Sequence, residues 1–88
     1  MFLRSIHHAA LIVSDYERSK DFYVRILRFT IAEEHYREER RSYKLDLVGP
    51  GGMRLELFSF PTPPPRLSQP EACGLRHLAF RVSDLALA

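Results

Sequence analysis

A chain of 88 residues, 45% hydrophobic and 27% charged, has the composition of one soluble globular domain, not of a disordered tail. At this length folding buries only roughly 60 to 65% of the surface the unfolded chain exposes, so the core is thin and a partner is expected, most simply a second copy. Thirteen basic against eleven acidic residues leave a net charge of +2, and Arg37, Arg40 and Arg41 are interleaved with Glu33, Glu34, Glu38 and Glu39. That mixture reads as a solvated hairpin and argues against a nucleic-acid surface, which needs clustered positive charge.

No apolar run approaches the ~20 residues of a spanning helix, and residues 1–15 lack the pattern of a secretory signal, so no membrane is implied and a cytoplasmic location is expected. Cys73 is the only cysteine, which excludes an intrachain disulfide and any cysteine-based metal motif and leaves it as a loop thiol.

The run Ile6 to Val13 is rich in apolar and β-branched residues and predicts a first strand. Its period of two places Ile6, His8, Ala10 and Ile12 on one face and His7, Ala9, Leu11 and Val13 on the other. Ser14 or Asp15 can cap the helix that follows, with Glu17 three residues after Ser14 as in a capping box, and Tyr16, Phe22, Tyr23, Ile26 and Leu27 recur at helical spacing. Arg28 then stands where a glycine is favoured for its left-handed backbone, which predicts a helix exit strained by roughly 1 kcal/mol.

Residues 29–36 and 41–48 predict two strands joined by the charged stretch 37–40, and Gly49-Pro50-Gly51-Gly52 predicts a turn into a fourth strand over 53–60. On that strand Met53, Leu55 and Leu57 alternate with Arg54, Glu56 and Phe58, so the sheet has one apolar face for the helix and one with polar groups. The order is β-α-β-β-β, an α+β unit over residues 1–60. Five of the six prolines then fall within 61–70, making 61–74 an extended connector, and 75–82 is again strand-like before a second possible cap at Ser83-Asp84.

That last run repeats the first. A single offset carries His8 onto His77, Ala10 onto Ala79, Val13 onto Val82, Ser14 onto Ser83 and Asp15 onto Asp84 without a gap. Repetition of a whole supersecondary unit predicts a second module of which 75–88 is the start, so the chain reads as one module plus the first strand of another, truncated one. The apolar face of Leu78 and Phe80 is then left for a partner to cover.

His8 and His77 hold equivalent places in the two repeats, and Glu56 lies on the polar side of the strand that closes the first unit. Two imidazoles and a carboxylate suit a divalent ion such as zinc, nickel, iron or manganese while leaving positions open to substrate. The three are too far apart in sequence for a local motif, so only a fold that aligns three strands brings them together. The competing reading makes both histidines hydrogen-bonded strand residues and Glu56 part of a solvated face. Lys44 and Asp46 are plausible neighbours of Glu56 or a simple ion pair, and Phe58 and Phe60 line a cavity or belong to the core.

The segments "HHAALIVSDYERSKDFYVRIL", "RLELFSF" and "GLRHLAFRVSD" resemble the vicinal oxygen chelate superfamily of glyoxalase I, bleomycin-resistance proteins and extradiol dioxygenases, and especially its small bacterial glyoxalase-like members of the YaeR type. The resemblance implies paired β-α-β-β-β modules around a metal and a homodimer. It puts the metal ligands on His8, Glu56 and His77, with no counterpart here for the fourth, and makes Glu56 a candidate base. It further implies a lyase or isomerase in which a small oxygen-chelating substrate passes through an enediolate. Two alternatives come with the family: a drug- or metabolite-binding protein of the bleomycin-resistance type, and an extradiol-type dioxygenase. Ile12 stands where glyoxalases often carry an arginine for glutathione, with Arg81 at the repeat-related position.

Overall fold

The computed structural model describes residues 2–87; Met1 and Ala88, the outer bounds expected for the domain, lie outside the described residues. Its elements are β1 (Ala9–Val13), α1 (Tyr16–Asp21), a π turn over Phe22–Ile26 that continues α1, β2 (Thr30–Arg37), β3 (Ser42–Val48) and β4 (Arg54–Ser59). Single 3₁₀ turns occupy Glu38–Arg40, Pro50–Gly52 and Leu85–Leu87. The strands form one mixed sheet in the order β1-β4-β3-β2, with β1 parallel to β4 and the other neighbours antiparallel. This is the expected β-α-β-β-β unit.

Apolar alternation builds the core. Leu45, Leu47, Leu55 and Leu57 point to one face, each at most 4% exposed, and Tyr16 and Phe29 close over them with Tyr23, Val24 and Leu27. Tyr16 stacks on Tyr43 with ring centroids 4.4 Å apart, which fixes the start of the helix on β3. Its hydroxyl donates to Glu34 on β2, as does the ammonium of Lys20 at 2.8 Å, tying the helix to the far side of the sheet.

The helix differs from its expected form in two ways. Asp15, not Ser14, is the cap: its carboxylate accepts from the backbone N–H of Arg18 at 3.1 Å, which leaves Glu17 outside any capping box. The expected regular helix through Leu27 widens at Phe22, where the N–H of Leu27 bonds to the carbonyl of Phe22. The extra residue in that turn rotates the face, so Phe22 and Ile26 are about half exposed while Val24 turns inward. Arg28 has the left-handed backbone that its position predicted, at φ 66°.

The first strand is shorter than expected: residues 6–8 precede it, and Ile6 is 87% exposed. The run 75–82, read as the first strand of a second module, pairs with no strand among the described residues. The connector holds part of it instead. The guanidinium of Arg66 donates to the carbonyl of Leu75 at 2.7 Å and to that of Arg76, using acceptors a sheet ladder would need. Beyond it Asp84 accepts from the N–H of Ala86 at 3.0 Å and starts the last 3₁₀ turn, an echo of the Asp15 cap.

Candidate functional site

The face of the sheet opposite the helix carries the polar side chains, and strand register arranges them in rows. Ala10 of β1, Glu56 of β4, Asp46 of β3 and Glu33 of β2 form one row; Ile12, Phe58, Lys44 and His35 form the next. Arg37 stands one step further along β2, opposite Ser42. Acidic and basic rows are thereby adjacent. His35 pairs with Glu33 at 2.8 Å and Lys44 approaches Asp46 at 3.7 Å. Residues i and i+2 of a strand share a face, so each pair follows directly from the pleat.

His8, immediately before β1, keeps the parity of Ala10 and Ile12 and reaches Glu56, with Nε2 3.5 Å from Oε2. That separation exceeds an N–H···O hydrogen bond. It fits a shared cation: two donors each at the usual ~2.0–2.1 Å from a tetrahedral ion stand about 3.4 Å apart. On its other side Nδ1 of His8 lies 2.9 Å from Nδ1 of His7, so one of the two rings must donate. If His8 donates, Nε2 keeps its lone pair turned toward Glu56. His7, expected on the opposite face and packed or solvated, is exposed and buttresses its neighbour.

His77 is not drawn into this pair. It lies along a cleft of about 880 Å³ between β1, at Ala10 to Ser14, and the connector at Pro63 to Arg66. Among the described residues no three His, Cys, Asp or Glu side chains come together closely enough to hold a metal ion. The reason is local: without a sheet partner, the run 75–82 gives His77 no register against Glu56. The residues thus fit a divalent ion at two positions, one nitrogen and one oxygen.

Of the other side chains weighed from sequence, Asp46 and Lys44 are indeed beside Glu56 and Phe58 on β3. Phe58 lies on the polar face, under the guanidinium of Arg37 at 5.5 Å, and Phe60 lies under that of Arg40 at 5.1 Å. Cys73 is exposed and free. Reading Arg37 as one more hairpin charge missed its placement. The available signal was the alternation Glu33, His35, Arg37, which continues β2 one residue further and keeps Arg37 on the polar face.

A sequence profile of the Glyoxalase/Bleomycin resistance protein/Dioxygenase superfamily matches residues 5–88. The chain is 62% identical over 85 residues to the protein YwkD of Bacillus subtilis and 57% identical over 86 residues to YaeR of Escherichia coli. These matches take in 97% and 98% of the chain but 66% and 67% of the relatives, so it spans about two thirds of their length. Among solved structures, a glyoxalase family protein from Enterococcus faecalis superposes with a TM-score of 0.86 at 45% identity, over 98% of this chain and 68% of that one. No helix among the described residues is long and apolar enough to cross a membrane.

Proposed function

This chain belongs to the Glyoxalase/Bleomycin resistance protein/Dioxygenase superfamily, and from that premise we propose that it serves a metal-dependent, glyoxalase-like lyase or isomerase acting on a small oxygen-chelating substrate. The observation that carries the reading is the 3.5 Å approach of His8 Nε2 to Glu56 Oε2, on the open polar face and at the spacing of two donors on one cation. His8 and Glu56 would hold the ion, with His77 as the third ligand of the same proposal. A bound divalent ion supplies Lewis acidity toward two neighbouring substrate oxygens.

The protein's own residues supply the proton chemistry. In this step a carboxylate oxygen of Glu56 would take the proton from the hydroxyl-bearing carbon next to the carbonyl, breaking C–H and forming O–H, and return it to the former carbonyl carbon, while the hydroxyl proton passes to the former carbonyl oxygen so that the two groups exchange places. The contact with His7 fixes the ring of His8, so its nitrogen does not wander from the reacting oxygens. Ile12 and Phe58, side by side in the next row, give the substrate an apolar floor.

A second reading, a binding module that sequesters a small molecule without turnover, is favoured by the meeting of only two donors among the described residues. Elemental analysis of purified protein separates the two. Stoichiometric zinc, nickel, iron or manganese, lost in His8→Ala and in Glu56→Ala, is the expected result. Metal content unchanged by both substitutions sinks the enzyme reading and leaves the binder. The partly exposed Leu78 and Phe80 are consistent with a homodimer, for which sedimentation of the chain at a mass near its monomer value is the contrary result.

A further inference from the structure

On the polar face, His8, His35 and Lys44 each have a carboxylate within 3.7 Å, and Glu34 is taken by Lys20 and Tyr16. Arg37 has none among the described residues. Its guanidinium is nonetheless held: Nη2 donates to Ser42 Oγ at 3.2 Å, Ser42 is fully buried, and Cζ stands 5.5 Å over the Phe58 ring. The Nε of the same group is enclosed and has no hydrogen-bond partner among the described residues. An uncompensated, anchored cation with an idle, enclosed donor lacks an acceptor, and such a donor is costly to leave unmet.

We propose that Arg37, assisted by Lys44, is the anion-recognising end of this face and that its ligand is the carboxylate of a small organic acid. A carboxylate matches the planar fork of a guanidinium, and one arriving beside Phe58 gives Arg37 the charged acceptor it lacks while the Ser42 bond holds the group in place. Lys44 is the register partner of Phe58 and pairs with Asp46 at 3.7 Å without a hydrogen bond, so its ammonium keeps its donors for the same anion. Phe58 is two residues along β4 from Glu56, a span of about 7 Å. Resting on the reaction proposed above, this makes the substrate a small acid with its carboxylate on Arg37 and its chelating oxygens at His8 and Glu56.

The test uses two probes on metal-free protein, acetate and inorganic phosphate, following by NMR the backbone amide of Ser42, the register partner of Arg37, which the parent and the Arg37 variants share. Acetate is expected to give a saturable shift with a dissociation constant on the order of 1–10 mM. Arg37→Lys, which keeps the charge but not the fork, is expected to weaken acetate binding roughly tenfold while retaining the fold, and Arg37→Gln to abolish it. Glu56→Gln leaves the acetate shift in place, so loss of metal binding and loss of the anion site are told apart. No saturable shift with acetate, a response to phosphate alone, or undiminished acetate binding in Arg37→Gln overturns the proposal.

Discussion

Asp46 stands directly opposite Glu56 in the antiparallel register of β3 and β4, so two carboxylates face the same side of the sheet as immediate neighbours. Like charges placed in this way are destabilising, and Lys44 at 3.7 Å from Asp46 is the nearby compensation. Lys44→Met is therefore expected to lower stability by about 0.5–1 kcal/mol in urea unfolding. If Glu56 also takes a cation, millimolar manganese restores much of that loss; a variant as stable as the parent shows instead that the two carboxylates do not repel.

Glu34 gives the fold an acid limb. The hydrogen bond from Lys20, then that from Tyr16, holds its carboxyl below the ordinary 4.5. A group whose folded-state pKa is depressed contributes stability that is fully present above 4.5 and is lost as pH falls through the lower folded value. Lys20 mirrors this at the other end, its pKa raised chiefly by the same hydrogen bond, so its share is present below 10.5 and fades as pH rises beyond it. In Glu34→Gln the decline of unfolding free energy from pH 5 to pH 3 becomes shallower than in the parent. An identical slope means that the contact is not formed in solution.

The exit of the helix is a place to add stability. Arg28 holds a left-handed backbone that costs an L-residue roughly 1–2 kcal/mol, and its side chain makes no hydrogen bond or ion pair among the described residues. Arg28→Gly is expected to raise the urea midpoint by the equivalent of about 1 kcal/mol with an unchanged m value. A lower midpoint would falsify the strain assigned to this residue.

The strands, the turn at Gly51 and Gly52 and the split of β4 into an apolar and a polar side were legible because each depends on neighbours in sequence. Period two fixed which of Leu55, Glu56, Leu57 and Phe58 face the helix, and their burial follows it. Register was not legible. That Glu56 meets Ala10 and Asp46, and that Arg37 meets Ser42, comes from pairings between distant segments that alternation alone does not select. The π turn at Phe22 was hidden for a related reason, since apolar spacing over two turns fits a regular helix equally well. The repeat carried His77 to the place of His8 in sequence, yet sequence equivalence gave 75–82 no strand to pair with, and Arg66 binds its carbonyls instead.

Gly49 is a case of space, not of backbone freedom. Its φ of −104° is open to any residue, but a β-carbon there would stand 2.5 Å from the ring of the buried Phe29 and 2.8 Å from Met53. Phe29 is held by the edge of Tyr23 and by Phe80, so it cannot retreat without disturbing the core. Gly49→Ala is expected to cost about 1–3 kcal/mol in chemical denaturation, and a cost near zero would mean that Phe29 has another rotamer available.

His7 tests the candidate metal pair from outside it. The contact between its Nδ1 and that of His8, at 2.9 Å, requires a proton on one of the two Nδ1 atoms, and placing it on Nδ1 of His8 is the choice that leaves Nε2 free to bind a cation beside Glu56. Removing the acceptor removes that preference. His7→Ala is therefore expected to weaken zinc or manganese binding about tenfold, the usual consequence of losing an outer partner of a ligating histidine, without changing the unfolding midpoint of metal-free protein. His7→Gln, whose carbonyl can accept the same hydrogen bond, should recover part of the affinity. If His7→Ala binds metal as tightly as the parent while His8→Ala does not, the ring of His8 is oriented by something other than His7. If neither substitution matters, the 3.5 Å approach of His8 to Glu56 is a surface ion pair, of the kind usually worth no more than about 1 kcal/mol.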